Sequence, residues 1–125
     1  MKVLIVDNDP SMCQLLTMAF SHADIEALAI GSLASLDHLL TNEDVGALLM
    51  DYHLGGGQSG TEVLKELVDN GSSLPFWLVT GTPDELGVIE ASTLNGFQGI
   101  VAKPFSIKDL VAEVAPFVKG ESSRL

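Results

Sequence analysis

Five short apolar runs alternate along the chain with segments whose apolar residues recur at helical spacing. The apolar runs cover residues 2–6, 25–30, 47–51, 75–80 and 99–102. Short apolar runs bounded by Gly, Pro or polar residues are typical of buried strands in a parallel sheet. Parallel strands that alternate with helices need right-handed crossovers, which place helices on both faces of the sheet. The sequence therefore predicts an α/β fold, a doubly wound five-stranded parallel sheet with the order (βα)5.

The helical segments differ in the strength of their sequence signals. In the first, Asp9 is a predicted N-cap and Pro10 a predicted first helical residue. Apolar residues then recur at i, i+3, i+4, i+7 and i+8, namely Met12, Leu15, Leu16, Ala19 and Phe20. The fourth helical segment is weaker, and its apolar residues are Leu86, Ile89 and Leu94. In the fifth, Pro116 is expected to kink or end the helix.

Length, charge and cysteine content exclude several classes of protein. The chain has 125 residues, for which we expect one domain over residues 1–119 and a tail or the start of a linker over residues 120–125. A net charge of −11 with only six Lys and Arg argues against binding to a nucleic-acid backbone. Cys13 is the only cysteine, so an internal disulfide is excluded and a reducing compartment is expected. Since no apolar run approaches the length of a membrane span and no signal-peptide pattern is present, we expect a soluble cytoplasmic protein without a membrane partner.

Four of the predicted strands end on residues that suit phosphoryl chemistry: Asp7, Asp51, Thr80 and Lys103. These residues should meet, because open parallel sheets form their ligand sites at the carboxyl edge of the strands. Two carboxylates can supply oxygen ligands to Mg²⁺, while a lysine and a hydroxyl can contact phosphoryl oxygens. A carboxylate in such a setting can act as a nucleophile toward phosphorus. A nicotinamide cofactor is not expected, because the first strand lacks a glycine-rich fingerprint after it.

Taken together, these motifs resemble the response-regulator receiver domains of two-component signalling over residues 2–119. The matching motifs are Leu4-Ile5-Val6-Asp7, Met50-Asp51, residues 57–60, Leu78-Val79-Thr80-Gly81 and Val101-Ala102-Lys103-Pro104-Phe105. Each motif alone is weak, and the match depends on their order and on their positions at predicted strand ends. The resemblance implies the flavodoxin-like receiver fold and a phosphorylation-controlled switch or relay.

The resemblance implies roles for the acidic residues of the site. Asp51 would be the phosphoacceptor and would receive its phosphoryl group from a histidine kinase or a histidine phosphotransfer protein. Asp7, Asp51 and the backbone carbonyl of His53 would hold Mg²⁺. The domain would catalyse only its own phosphorylation and dephosphorylation, so we do not expect a metabolic enzyme.

The resemblance also implies which residues contact the phosphoryl group. Lys103 would pair with it, and Thr80 would move toward it and report its presence. Gly81 would leave the phosphorus approachable because it is small. The family commonly has a cis peptide bond before the proline that matches Pro104. Further partners could be effector or kinase domains of a longer chain.

Two positions depart from the family pattern. Family members usually have two adjacent acids after the first strand, whereas here the second position is Asn8. The Asn8 carbonyl can still be a Mg²⁺ ligand, but weaker Mg²⁺ binding is expected, with Asp9 capping the helix instead of substituting. The family also tends to have an aromatic or histidine switch residue three positions before the lysine, which is Ile100 here. Switching through Thr80 and position 100 is therefore in question, and output could instead run through the fourth helix.

Other interpretations of the same residues remain open at the level of sequence. Asp51 and Lys103 could form a purely structural ion pair, and Thr80 could be a capping residue. The main alternative function is a pseudo-receiver, an interaction domain that works without phosphorylation. A Mg²⁺-dependent phosphatase is a third alternative, but it would need an acid–base aspartate where His53 stands.

Overall fold

A computed structural model describes residues 1–119, and the predicted tail over residues 120–125 lies outside the described part. The chain forms five strands, β1 (Lys2–Val6), β2 (Ala27–Ile30), β3 (Val45–Asp51), β4 (Phe76–Thr80) and β5 (Phe97–Ala102). They build one parallel sheet in the order β2-β1-β3-β4-β5. The predicted doubly wound (βα)5 fold is confirmed.

A helix follows each strand. The helices are α1 (Pro10–His22), α2 (Leu36–Asn42), α3 (Gly60–Asp69), α4 (Leu86–Ala91) and α5 (Ile107–Lys119), with a short 3-10 turn, Leu33–Ser35, before α2. The predicted N-cap Asp9 accepts a hydrogen bond from the backbone N–H of Ser11 at 3.0 Å. Ser106 likewise accepts a hydrogen bond from the backbone N–H of Asp109 at the start of α5. These caps satisfy backbone donors that have no partner within the helix.

The hydrophobic core consists of two layers, one on each face of the sheet. Alternate residues of the central strands face α1 and α5 and pack with Leu16, Phe20 and Val114. The intervening strand residues face α2, α3 and α4 and pack with Leu64 and Val88. Because strand side chains alternate between faces, the central strands must be apolar on both sides, as their sequences are.

Several local predictions were wrong. The helix α4 spans only six residues, so it ends before Leu94, and the other two residues of its predicted apolar pattern, Leu86 and Ile89, are 85% and 51% exposed. Leu15 in α1 is also exposed. Of the two expectations for Pro116, that it ends the helix is wrong, because α5 continues past it to Lys119; that it kinks the helix stays a prediction. The strand β2 begins at Ala27 rather than at residue 25.

The register of the strands brings their carboxyl ends to one edge. Val6 pairs with Met50, Asp51 with Val79 and Thr80 with Ala102. The loop after β5 is tied to β4, because the Lys103 backbone N–H donates to the Thr80 carbonyl oxygen at 2.7 Å. The peptide bond between Lys103 and Pro104 is cis, as the family resemblance implies.

The start of α3 packs closely against the end of β3. Ser59 and Glu62 form a reciprocal capping box, and the Gly60 backbone N–H donates to the Tyr52 carbonyl oxygen at 2.8 Å. A Cβ atom at Gly60 would lie 2.9 Å from the Met50 side chain and 3.0 Å from the Asp51 carbonyl carbon. The close approach of α3 to the end of β3 therefore requires glycine at this position.

We expect Gly60→Ala to lower the free energy of unfolding by about 1–3 kcal/mol, because an added methyl group would overlap with the backbone of β3. Urea unfolding followed by circular dichroism measures the change. Gly99→Ala is the matched control, since its Cβ would meet its nearest atoms at 3.6 Å. Equal stability of Gly60→Ala and the wild type would contradict the steric argument.

Candidate functional site

Two buried carboxylates and one lysine form a charge cluster at the carboxyl edge of the sheet. Asp7 follows β1, Asp51 ends β3, and the exposed fraction of each residue is only 3%. The Lys103 Nζ atom lies 3.4 Å from Asp51 Oδ1 and 3.9 Å from Asp7 Oδ2. The lysine is itself only partly exposed, so the cluster is shielded from bulk water on most sides. The predicted convergence of these three residues is confirmed.

Burial raises the pKa of Asp51, and the neighbouring Asp7 carboxylate raises it further. Lys103 acts in the opposite direction by stabilising the ionised form. The net rise shows that a single ammonium group does not fully compensate for burying two carboxylates side by side. The cluster is therefore a place where an additional cation would be stabilising.

The loop after β1 fixes the orientation of Asp7. Asp7 Oδ1 accepts a hydrogen bond from the backbone N–H of Asp9 at 2.9 Å. The Asp9 carboxylate is itself engaged in capping α1. Asn8 is exposed and its amide donates to the Leu54 carbonyl oxygen in the loop after β3, at 3.5 Å. Asn8 thus links two loops of the site.

Thr80 is fully buried at the end of β4, and its hydroxyl belongs to a chain of hydrogen bonds. Thr80 Oγ1 accepts a hydrogen bond from the backbone N–H of Thr82 at 3.0 Å and also lies 3.2 Å from Thr82 Oγ1. Thr82 Oγ1 in turn lies 3.0 Å from His53 Nε2. The chain connects the loop after β4 with the loop after β3, and it leaves the Thr80 hydroxyl bonded to its own loop.

Two other predicted residues, Gly81 and Ile100, lie outside this cluster. Gly81 is exposed, and no atom lies within 4 Å of the position that a Cβ would occupy there. The approach to the cluster beside Gly81 is therefore open. Ile100 is half-buried in β5 and packs against the core layer beneath α2, α3 and α4. It provides apolar contact there and has no ring that could rotate between two positions.

Sequence reasoning missed Thr82 and Tyr52. Thr82 could have been found from its spacing, because a threonine two residues after Thr80 in a turn can bond back to the earlier hydroxyl. Tyr52 carries no such signal, since its surroundings are formed by residues far away along the chain.

The donor set fits a hard divalent cation. Mg²⁺ is usually bound in proteins by one or two carboxylates, with water and backbone carbonyls completing the sphere. Asp7 and Asp51 supply two adjacent carboxylates of this kind. Within residues 1–119, no group of three or more acidic, His or Cys side chains is arranged to hold a metal.

Within the described residues no helix is both long and apolar enough to cross a membrane.

The sequence model of one protein family, the response regulator receiver domain, matches residues 3–115. The DNA-binding response regulator MtrA of Mycolicibacterium smegmatis is 29% identical over 113 residues, which are 90% of this chain and 48% of that protein. The regulatory protein VirG of Agrobacterium tumefaciens is 26% identical over 90% of this chain and 41% of its own length. The chain thus spans half or less of the length of these relatives.

Solved structures with the same fold include isolated receiver domains. The receiver domain of the Francisella response regulator 1452 superposes with a TM-score of 0.82 at 22% identity, covering 95% of this chain and 97% of that one. A CheY-like receiver domain protein from Methanospirillum hungatei gives a TM-score of 0.82 at 20% identity, with 99% and 98% of the two chains covered. At these identities, the superpositions show a shared fold.

The raised pKa of Asp51 predicts that its charge destabilises the metal-free protein. The unfolded chain ionises at lower pH than the folded one, so ionisation at neutral pH favours unfolding. We expect Asp51→Asn to raise the free energy of unfolding at neutral pH in EDTA by on the order of 1 kcal/mol. The gain should shrink as the pH falls through about 4, because below that value the carboxyl is protonated in the unfolded chain as well.

Urea titrations of both proteins across this pH range measure the effect. Asp84→Asn, at an exposed loop position, is the matched control and should leave stability unchanged. A less stable Asp51→Asn protein at neutral pH would show instead that the ion pair with Lys103 outweighs burial and repulsion.

Proposed function

We propose, because the chain belongs to the response regulator receiver domain family, that Asp51 accepts a phosphoryl group from a phosphohistidine. The donor would be a histidine kinase or a histidine phosphotransfer protein. The observation that carries this proposal is the buried carboxylate of Asp51 beside Asp7 and Lys103 at the carboxyl edge of the sheet. A purely structural ion pair would consist of Asp51 and Lys103 alone. The second carboxylate, Asp7, raises the pKa of Asp51 and so disfavours the ionised form that such a pair requires.

The proposed step is a direct displacement at phosphorus. An Asp51 carboxylate oxygen forms the new O–P bond while the P–N bond of the phosphohistidine breaks, and the electron pair leaves with the imidazole nitrogen. Lys103 Nζ, already 3.4 Å from Asp51 Oδ1, would neutralise charge on the transferring group. The open approach beside Gly81 would admit the donor imidazole. Hydrolysis of the aspartyl phosphate would later return the domain to its starting state.

We propose Mg²⁺ as the cofactor of this step. Asp7, Asp51 and the backbone carbonyl of His53 would hold it, with Asn8 as a further candidate oxygen ligand. When bound, the ion would offset the excess negative charge of the two carboxylates and of the incoming phosphoryl group. The carboxylate of Asp9 is not proposed as a ligand, because it caps α1.

Thr80 is proposed to report phosphorylation. Its hydroxyl is bonded to Thr82 in the unphosphorylated domain. A phosphoryl oxygen on Asp51 is a stronger, charged acceptor than the Thr82 hydroxyl, so the Thr80 O–H would exchange one partner for the other. That exchange would break the contact between the two threonine hydroxyls and so separate the Thr82–His53 hydrogen bond from the Thr80 O–H.

The whole protein's role depends on what the receiver domain acts upon. The relatives MtrA and VirG are more than twice as long as the matched segment. We propose that the domain transmits its state either to an effector or kinase domain of a longer chain, or to a separate partner. Neither nucleic acid nor membrane is proposed as a direct partner of this acidic domain.

Incubation with acetyl phosphate and Mg²⁺ should add one phosphoryl group to the protein, detected by intact mass. The adduct should be lost in Asp51→Asn and without Mg²⁺, because both the nucleophile and the cation are required. Asp84→Asn is the control and should be phosphorylated like the wild type. A folded wild-type protein that forms no adduct even at high Mg²⁺ would contradict the proposal and favour a phosphorylation-independent interaction domain.

Asn8→Asp should bind Mg²⁺ about tenfold more tightly, because it restores a second formal charge beside Asp7. The increase in melting temperature with Mg²⁺ concentration gives the dissociation constants of both proteins. Asp9→Asn is the comparison variant, and its Mg²⁺ affinity should stay close to that of the wild type. Equal affinities of the wild type and Asn8→Asp would contradict the expectation that Asn8 weakens the site.

A further inference from the structure

We infer that Tyr52 is the positioning residue that transmits the state of Asp51 to α4. This inference rests on the proposed function, since it concerns the response to a phosphoryl group on Asp51. Tyr52 directly follows the phosphoacceptor, and its side chain lies against the first turn of α4. The residue therefore connects the site of modification to a surface helix without an intervening element.

The backbone of Tyr52 is held from two sides. Its N–H donates to the Val79 carbonyl oxygen of β4 at 2.9 Å, and its carbonyl oxygen accepts from the Gly60 N–H at the start of α3 at 2.8 Å. A displacement of the Asp51 backbone would therefore be passed to Tyr52 rather than absorbed by a loose loop. The Tyr52 ring also contacts the His53 ring edge-on, with centroids 4.8 Å apart. His53 belongs to the hydrogen-bond chain that ends at Thr80.

The ring of Tyr52 occupies the space that a side chain at Gly87 would need. A Cβ at Gly87 would lie 3.0 Å from Tyr52 Cζ and 3.1 Å from Cε1, and it would be closer still to the hydroxyl oxygen. The tyrosine thus packs directly on the backbone of α4. Partial burial and the negative charge of Glu85 raise the pKa of Tyr52, so the hydroxyl keeps its proton in this contact.

A second contact, from α3, holds the same turn of α4. The buried Thr61 hydroxyl donates to the Gly87 carbonyl oxygen at 2.7 Å. Gly87 is therefore held between Tyr52, next to the phosphoacceptor, and Thr61, in the first turn of α3. Because α4 has only six residues, a shift at Gly87 would move the whole helix.

The residues carried by α4 give this contact a consequence at the surface. Leu86 and Ile89 flank Gly87 and are the most exposed large apolar side chains of α4. A change in the Tyr52 contact would reorient them. Position 100, where the family tends to have an aromatic switch residue, is Ile100 and packs in the core. Tyr52 packs against the same core layer and supplies an aromatic ring directly beside the phosphoacceptor.

Hydrogen exchange measured by mass spectrometry tests this inference on acetyl phosphate-treated and untreated protein with Mg²⁺. In the wild type, phosphorylation should change deuterium uptake in residues 84–94. In Tyr52→Leu and Gly87→Ala this change should fall to less than about half of the wild-type value, since the ring contact is lost or displaced. Tyr52→Phe keeps the ring and should retain the response. Gly99→Ala is the matched glycine control and should behave like the wild type.

Intact mass on the same samples separates this inference from the proposed function. An unphosphorylated wild type would overturn the proposed function and this inference with it. Tyr52→Leu and Gly87→Ala proteins that are phosphorylated and show the full wild-type change in α4 would overturn the inference alone. Folded variants that take up no phosphoryl group would also overturn it, because Tyr52 would then belong to the acceptor site itself.

Discussion

Two buried carboxylates share a single ammonium group at the carboxyl edge of this sheet, and the surrounding elements hold them in that arrangement. Asp7 is oriented by the Asp9 N–H, while the Asp51 carbonyl region is covered by Gly60 at the start of α3. Burial and mutual repulsion raise the pKa of Asp51 in spite of Lys103. The protein thus retains a cluster whose charges are only partly compensated, which is typical of sites that are built for a ligand and not for stability.

The strand order determines which side chains this cluster can contain. Because β1 and β3 are neighbouring strands, the short side chains of Asp7 and Asp51 lie next to each other. Lys103 follows β5, two strands away from β3, so only a long side chain can reach Asp51 across the end of β4. The hydrogen bond from the Lys103 N–H to the Thr80 carbonyl fixes the start of that side chain. Thr80, at the end of the intervening strand, is fully buried and is bonded to the loop after β4.

The sequence predicts the cluster because each of its residues terminates a buried strand, and strand ends in a parallel sheet share one edge. The same reasoning could not identify Tyr52 or the exposure of Leu86 and Ile89. Apolar spacing indicates that a helix has a preferred face, but it does not say how many turns the helix forms. In α4, Val88 and Ala91 alone fill the space above the sheet, which leaves Leu86 and Ile89 outside. Similarly, the contact between Tyr52 and Gly87 depends on the position of a helix 35 residues away along the chain.

Asn8 illustrates how a departure from the family pattern can be structurally useful. An aspartate at this position would add a third carboxylate next to two that already repel each other. It could not donate to the Leu54 carbonyl oxygen, as the Asn8 amide does, because an ionised carboxylate is only an acceptor. Asparagine therefore relieves repulsion in the metal-free domain and joins the loops after β1 and β3. The same exchange removes charge that would attract a cation. At this single position the stability of the free domain is therefore set against the proposed affinity for Mg²⁺.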